Sequence, residues 1–143
     1  GRRVAEQLLA TDPGPHGACV VWGGEPTVRL EPGTRGVGGR AQELALAAAE
    51  VLAGAGTVVP ALLVAGTDGR DGPTPAAGAV VDRTSWRALA ALGRDPAGDL
   101  AGHDSHTALT AIGGTLVTGP TGTNVMDLAI GIVHRSPGPT IRE

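Results

Sequence analysis

Lysine is absent from this chain of 143 residues, in which all 11 basic residues are arginine. A Walker-type phosphate loop closes on a lysine, so nucleotide binding by that device is excluded here. Phenylalanine and tyrosine are also missing and tryptophan occurs twice, which leaves a core of aliphatic and small side chains that packs its layers closely. The single cysteine, Cys19, has no partner for an internal disulfide. It lies in the apolar run Ala18-Cys19-Val20-Val21, where a small buried thiol is expected. With a net charge of −3 and no basic run, the sequence offers no footprint for nucleic acid or for an anionic membrane. No apolar run approaches the length of a membrane span, and the first residues lack the pattern of a signal peptide. A soluble, cytoplasmic protein is the expectation. The chain opens without methionine, on what reads as the later part of an amphipathic helix, Val4 to Leu9, which suggests a fragment.

What is abundant is glycine, 24 residues, with 11 prolines. They cluster between periodic segments, as turns do in a folded protein. The length suits one domain with one core. The expected elements are a helix ending near Ala10, strands at Ala18–Trp22 and Thr27–Leu30, and a helix over Arg40–Ala53 with the apolar stripe Leu44, Ala48, Val51 and Ala55. A strand follows at Ala61–Ala65, its continuous apolar run suggesting burial on both faces. Helices are expected at Pro75–Val81, Ser85–Leu92 and Ser105–Ile112, and strands at Thr115–Val117 and Leu128–Val133. Strands alternating with helices predict a single α/β domain, three-layer α/β/α, with a mainly parallel or mixed sheet over residues 1–134 and an irregular tail over 135–143.

Three glycine-rich polar runs follow apolar stretches: Gly23-Gly24-Glu25, Gly66 through Pro73, and Thr118 through Asn124. Loops at the carboxyl edge of a sheet converge on one crevice, so these three bends are expected at a common rim. In Gly36-Val37-Gly38-Gly39-Arg40-Ala41-Gln42-Glu43, free amides at a helix start, reached through Gly38 and Gly39, suit a phosphate or carboxylate. Arg40 in the first turn opposes the helix dipole, so Glu43 or an anionic ligand should compensate it. Asp68 and Asp71 can hold a hard cation such as Mg²⁺, orient a hydroxyl or accept its proton; they can equally cap local N–H groups. Thr121-Gly122-Thr123-Asn124, with Asp127, forms a polar cradle for anionic oxygens, or simple turn chemistry. His103-Asp104-Ser105-His106 admits a metal or nucleophile reading, but Asp104 and Ser105 are also good residues for starting a helix.

Taken together, these residues resemble the carboxy-terminal domain of the class II glycerate 2-kinases, the MOFRL domain, whose members have often been labelled hydroxypyruvate reductases. The resemblance runs from about Trp22 to Ile132. It rests on Gly23-Gly24-Glu25, on Gly38-Gly39-Arg40 followed by Gln42-Glu43-Leu44, on Gly66 through Thr74 with Ala76-Ala77-Gly78-Ala79, on Asp104-Ser105, and on Thr118 through Val125 with Asp127. Departures from the usual family pattern are Ala41 for Asn, Pro75 for Asp, His103 for Asn, His106 for Tyr and Met126 for Asn.

The resemblance implies transfer of the γ-phosphoryl group of ATP to the 2-hydroxyl of D-glycerate, with Mg²⁺, in a cleft shared with an amino-terminal α/β domain that this chain lacks. It would make Arg40, Asp68 and Asp71 the catalytic residues, with Asp68 and Asp71 as metal ligands. Glu25, Gly38, Gly39, Gln42, Glu43, Thr121, Gly122, Thr123, Asn124 and Asp127 would bind substrate or phosphate. Half a cleft would have little or no activity alone. Homo-oligomer formation is left open. The rival readings are a stand-alone binding or assembly module and, less favoured, a hydroxypyruvate reductase, for which Gly36 to Gly39 lacks the third glycine of a dinucleotide fingerprint.

Overall fold

The computed structural model describes residues 1–30 and 32–136. Among the described residues, five α-helices and five strands follow one another as α1 (Arg2–Ala10), β1 (Ala18–Gly24), α2 (Arg40–Leu52), β2 (Val58–Gly66), β3 (Gly78–Asp82), α3 (Ser85–Ala91), α4 (Pro96–Ala101), α5 (Ser105–Ala111), β4 (Thr115–Leu116) and β5 (Asp127–Arg135). The strands form one sheet in the order β1-β5-β2-β3-β4.

The α/β, single-domain expectation holds, but every neighbouring pair in the sheet is antiparallel, which corrects the mainly parallel or mixed sheet. β1 and β2 run in the same direction and are joined through α2, as alternation of strand and helix predicts. The last strand, β5, inserts between them in the opposite sense. A long antiparallel return of this kind leaves no mark in local sequence, because β5 reads as an apolar strand in either direction.

Register places two sets of side chains on opposite faces. On one face the cross-strand rows Trp22–Ala129–Val64–Ala79 and Val20–Gly131–Leu62–Val81 meet Ala5 and Leu8 of α1, Ala45, Leu46, Ala49 and Leu52 of α2, Leu89 of α3 and Leu109 of α5 in a single core. Gly131 admits the Leu8 side chain: a Cβ there would lie 2.8 Å from a Leu8 methyl. Of the expected α2 stripe, Ala48 is fully buried, but Leu44 and Val51 only flank the core and Ala55 lies beyond the helix end; Ala45, Leu46, Ala49 and Leu52 are fully buried instead.

The other face carries Val21, Val80 and Ile132, which are 59%, 43% and 50% exposed. Among the described residues the helices thus cover one face only, and the domain has two layers where three were expected. The same geometry corrects two smaller expectations. β2 buries alternate residues on one face instead of both, and Cys19 lies on the open face, exposed.

Two expected elements change type and one was unforeseen. Residues 27–30 are not a strand. Gly78–Asp82 is β3 instead of part of a helix over 75–81, because Val64 and Leu62 of β2 offer Ala79 and Val81 a buried ladder partner, and tertiary pairing overrides weak local preference. α4 starts at Pro96, a residue suited to the first helical turn. The tail expectation falls partly outside the described residues, at 137–143.

Candidate functional site

Gly24, Asp127 and Gly66 lie in one cross-strand row at the end of the sheet. Hence the bend after β1, the loop after β2 and the loop entering β5 share one rim, as the sequence led us to expect. The second and third bends are tied together. Thr67 Oγ1 donates to the carbonyl of Met126 at 2.7 Å and accepts from the Val125 amide at 2.8 Å. Thr121 Oγ1 donates to the Thr67 carbonyl. Gly69 sits at φ 85, and a Cβ there would lie 2.0 Å from the Gly119 carbonyl oxygen, so only glycine allows the two loops to touch.

Arg40, the first residue of α2, reaches across to this rim. Its Nε and Nη2 donate to the two Asp127 carboxylate oxygens at 2.5 and 2.8 Å, a fork-on-fork pair that fixes the plane of the guanidinium. Asp127 is 4% exposed whereas the Arg40 side chain is 34% exposed, so the pair is anchored from below and open above. Glu25 stands 3.7 Å from Nη2 on the solvent side. The hydrogen bond with Asp127 outweighs burial and holds the Arg40 guanidinium above its already high ordinary pKa; its charge is permanent. The compensating anion for Arg40 is therefore Asp127, not Glu43. Glu43 instead pairs with His103, Nδ1 to Oε1, at 2.6 Å.

The amides at the start of α2 do not await a ligand. Asp71 occupies them: Oδ1 accepts from the Ala41 amide at 2.9 Å, and Oδ2 from the Gln42 amide at 2.8 Å and from Gln42 Nε2 at 2.9 Å. Asp71 is 2% exposed. Of the alternatives the sequence left open, capping is what this carboxylate does, supplying from another loop the negative charge that a helix N-terminus favours. Gln42 is fully buried and satisfied, donating also to Thr74 Oγ1 at 3.0 Å and accepting at Oε1 from His106 Nδ1 at 2.8 Å. Because a carboxamide oxygen only accepts, His106 carries its proton on Nδ1. Gly38 and Gly39 serve the same packing. A Cβ on Gly39 would lie 2.3 Å from Asp71 Cγ, and one on Gly38 would lie 2.2 Å from Ser105 Oγ, so these glycines admit neighbouring protein.

Above Arg40 opens a cavity of about 450 Å³, walled by Pro26, Val28, Leu30 and Pro73 on its apolar side and by Glu25, Arg40, Glu43 and His103 on its polar side. Gly38 and Gly39 form part of its floor. A smaller hollow of about 260 Å³, bordered by Trp22, Leu44 and Asp127, shares Glu25 and Pro26 with it. Asp68 lies at the same rim, its Oδ1 accepting from the Arg70 amide at 3.0 Å; a Cβ on Gly66 would lie 3.1 Å from Asp68 Oδ1 and 3.4 Å from Asp127 Oδ1.

The structure thus brings Glu25, Gly38, Gly39, Arg40, Glu43, Asp68 and Asp127 to one side of the domain. Gln42 and Asp71 sit beneath them, out of contact with the cavity. Thr121, Gly122, Thr123 and Asn124, like Asp68, line neither hollow; the Thr121 amide donates to the Asp68 carbonyl at 3.3 Å, and Asn124 Oδ1 accepts from the Met126 amide at 3.0 Å. Sequence reasoning missed the placing of His103 in the cavity wall. Its φ of 57 is a left-handed value that asparagine and histidine enter more readily than most residues. The His103-Asp104 dipeptide was the available signal, and the chemistry of a helix start hid it.

No group of three or more His, Cys, Asp or Glu side chains among the described residues is arranged to hold a metal ion. With its oxygens taken by N–H donors, Asp71 does not fit the expected pairing with Asp68 around Mg²⁺.

The strand-end loops of this α/β domain surround one fixed arginine, and comparison with known proteins identifies the family. Residues 18–127 match the MOFRL family, and the chain belongs to it. It is similar to D-glycerate 2-kinase of Thermotoga maritima, 50% identical over 116 residues that make up 81% of this chain and 27% of that protein. It is also similar to glycerate kinase of Homo sapiens, 46% identical over 128 residues, 86% of this chain and 24% of that protein. The crystal structure of the Thermotoga maritima glycerate kinase superposes with a TM-score of 0.83 at 44% identity, covering 93% of this chain and 32% of that one. The chain therefore spans about a quarter of the length of the relatives it matches.

Proposed function

We propose that this chain is the carboxy-terminal portion of a glycerate 2-kinase and forms one wall of the cleft in which ATP phosphorylates the 2-hydroxyl of D-glycerate, yielding 2-phosphoglycerate and ADP. The observation that carries the reading is Arg40, held by Asp127 and facing the 450 Å³ cavity, in a domain whose relatives are named glycerate kinases.

Phosphoryl transfer is mainly positioning and charge stabilisation, and the residues here supply both. With Nε and Nη2 committed to Asp127, Arg40 presents its remaining edge to a carboxylate or phosphoryl oxygen, and the exposed Glu25 yields that edge when the anion arrives. Asp68, at the same rim, would orient the acceptor hydroxyl. Asp127 acts through Arg40, and Asp71 and Gln42 act through the start of α2, so these three are positioning residues. Thr121 through Asn124 would contact the nucleotide or substrate only from the outer shoulder. Mg²⁺ enters this reading as the companion of ATP, held by its phosphate oxygens, and no step here is routed through it. The rest of a longer chain would supply the second wall.

The test is a coupled assay of ATP- and glycerate-dependent turnover by the full-length protein. Arg40→Ala should lower turnover by about a hundredfold, the scale of losing one charge-stabilising donor, and Asp68→Asn should lower it measurably, with folding intact. Wild-type rates in both variants would remove the assignment. The reading as a non-catalytic module draws on the capping role of Asp71, and absence of phosphorylation by the full-length wild type would favour it.

A further inference from the structure

One imidazole in the wall of the larger cavity has a nitrogen to spare. His103 Nδ1 lies 2.6 Å from Glu43 Oε1, and both residues line the cavity. A carboxylate only accepts, so Nδ1 carries the proton and Nε2 is the open nitrogen; among the described residues no protein group bonds to it. Glu43 has an arginine three residues earlier on its own helix face, within ordinary pairing reach. It turns to His103 instead, and Asp127 takes Arg40. The backbone beneath the ring is as constrained as the ring itself: His103 has φ 57, and a Cβ on Gly36 would lie 2.5 Å from the His103 carbonyl carbon. His106, by contrast, is spent on Gln42 and does not line the cavity.

We propose that His103 is a specificity-determining residue: with the glycerate carboxylate on Arg40, its Nε2 bonds the 3-hydroxyl, the one that does not react. The proposal rests on the reading of this cavity as half of a glycerate cleft. The carboxylate and the two hydroxyls of the acid then meet three side chains. Arg40 stands between the other two. Asp68 shares the Asp127 side, where a Cβ on Gly66 would approach both carboxylates, and Glu43 with His103 lies about one helical turn away along α2, roughly 5 Å. In glycerate the reacting hydroxyl is next to the carboxylate and the 3-hydroxyl one carbon beyond, so the nearer group falls to Asp68 and the farther to His103. A hydroxyl both donates and accepts, which satisfies Nε2 with or without a proton on it. A methyl group in its place satisfies neither state, and a site built for a hydroxyl rejects the analogue lacking one because its own polar group is left unpaired.

D-Lactate is the discriminating probe, because it keeps the carboxylate and the 2-hydroxyl of D-glycerate and has a methyl group where glycerate carries the 3-hydroxyl. Dissociation constants of the two acids, measured by isothermal titration calorimetry on the full-length protein with a non-hydrolysable ATP analogue present, should favour glycerate by about tenfold or more, the scale of one hydrogen bond. In His103→Ala that preference should shrink by about tenfold. His103→Gly takes its place should alanine fail to fold at the left-handed φ. A purely structural role predicts a different result: a loosened wall weakens both acids alike and leaves their ratio unmoved. A wild type without the preference, or a variant in which it falls by less than about threefold, overturns the proposal and assigns the hydroxyl to another group. Turnover measured on the same samples separates the two claims. A preference that depends on His103 without phosphorylation of glycerate keeps the specificity role and removes the kinase reading; phosphorylation with an unmoved ratio does the opposite, and a wild type that binds neither acid overturns both.

Discussion

Replacing Asp71 by alanine should be among the most damaging single changes in this domain, although the residue touches no ligand site. Its carboxylate accepts from the Ala41 amide, the Gln42 amide and Gln42 Nε2, and Gln42 is fully buried while Asp71 is 2% exposed. Truncation leaves three donors unpaired. Each such donor costs about 1–3 kcal/mol, the lower end applying where water enters the vacated space. The lost charge at the helix N-terminus adds about 0.5–1 kcal/mol. Non-additivity within one network trims the sum, so the expected loss is about 3–5 kcal/mol. For a domain of this size that corresponds to a fall in Tm of roughly 8–15 °C. Asp71→Asn keeps the shape and one acceptor and should lose about 1–2 kcal/mol, whereas Asp68→Ala, which gives up one exposed turn bond, should lose about 0.5 kcal/mol or less. Urea unfolding followed by circular dichroism gives all three values. A loss below about 1 kcal/mol for Asp71→Ala, or equal losses at positions 71 and 68, would refute the capping account.

Other consequences can be checked in the same samples. Asp127→Asn, which weakens the anchor of Arg40, should reduce turnover in a coupled kinase assay by about tenfold or more, with the loss in kcat exceeding the rise in KM, because a mobile guanidinium is poorly positioned. Purified residues 1–143 should show little or no ATP- and glycerate-dependent turnover; appreciable activity would contradict the shared cleft. Gly39→Ala should destabilise the domain by about 2 kcal/mol or more, read by thermal melting, since its Cβ would overlap Asp71. At Asp82, burial works against the charged form, but hydrogen bonds from Thr84 and Ser85 prevail and hold the carboxyl below the usual carboxylate range. A depressed folded-state pKa contributes stability above the unfolded-state value, and that contribution disappears as pH falls through the folded-state value. Asp82→Ala should therefore lower stability at neutral pH and flatten its decline below about pH 4, measured as Tm against pH.

Much of the site was legible because it is written in short, local chemistry. Arg40 at a helix start violates the dipole rule, and such a violation announced a partner; that the partner is Asp127 and not Glu43 depends on a contact between residues 87 apart in sequence. Two neighbouring aspartates looked equivalent as metal ligands. The fold separates them, sending Asp71 under α2 and leaving Asp68 at the rim. The glycines at 38 and 39 were read as space for a ligand, yet the occupants of that space are Asp71 and Ser105.

By itself the sequence determined that the chain is one α/β domain with an aliphatic core, where most helices and strands lie, and that three glycine-rich bends follow strands or lead into them. Each of these follows from periodicity, turn chemistry and composition, which act over a few residues. The tertiary structure alone decided the antiparallel insertion of β5 between β1 and β2, the conversion of residues 78–82 from expected helix to strand, the capping of α2 by Asp71, and the apolar face left open. All four depend on which distant segments pair, and that choice is made by burial and hydrogen-bond satisfaction over the whole chain at once.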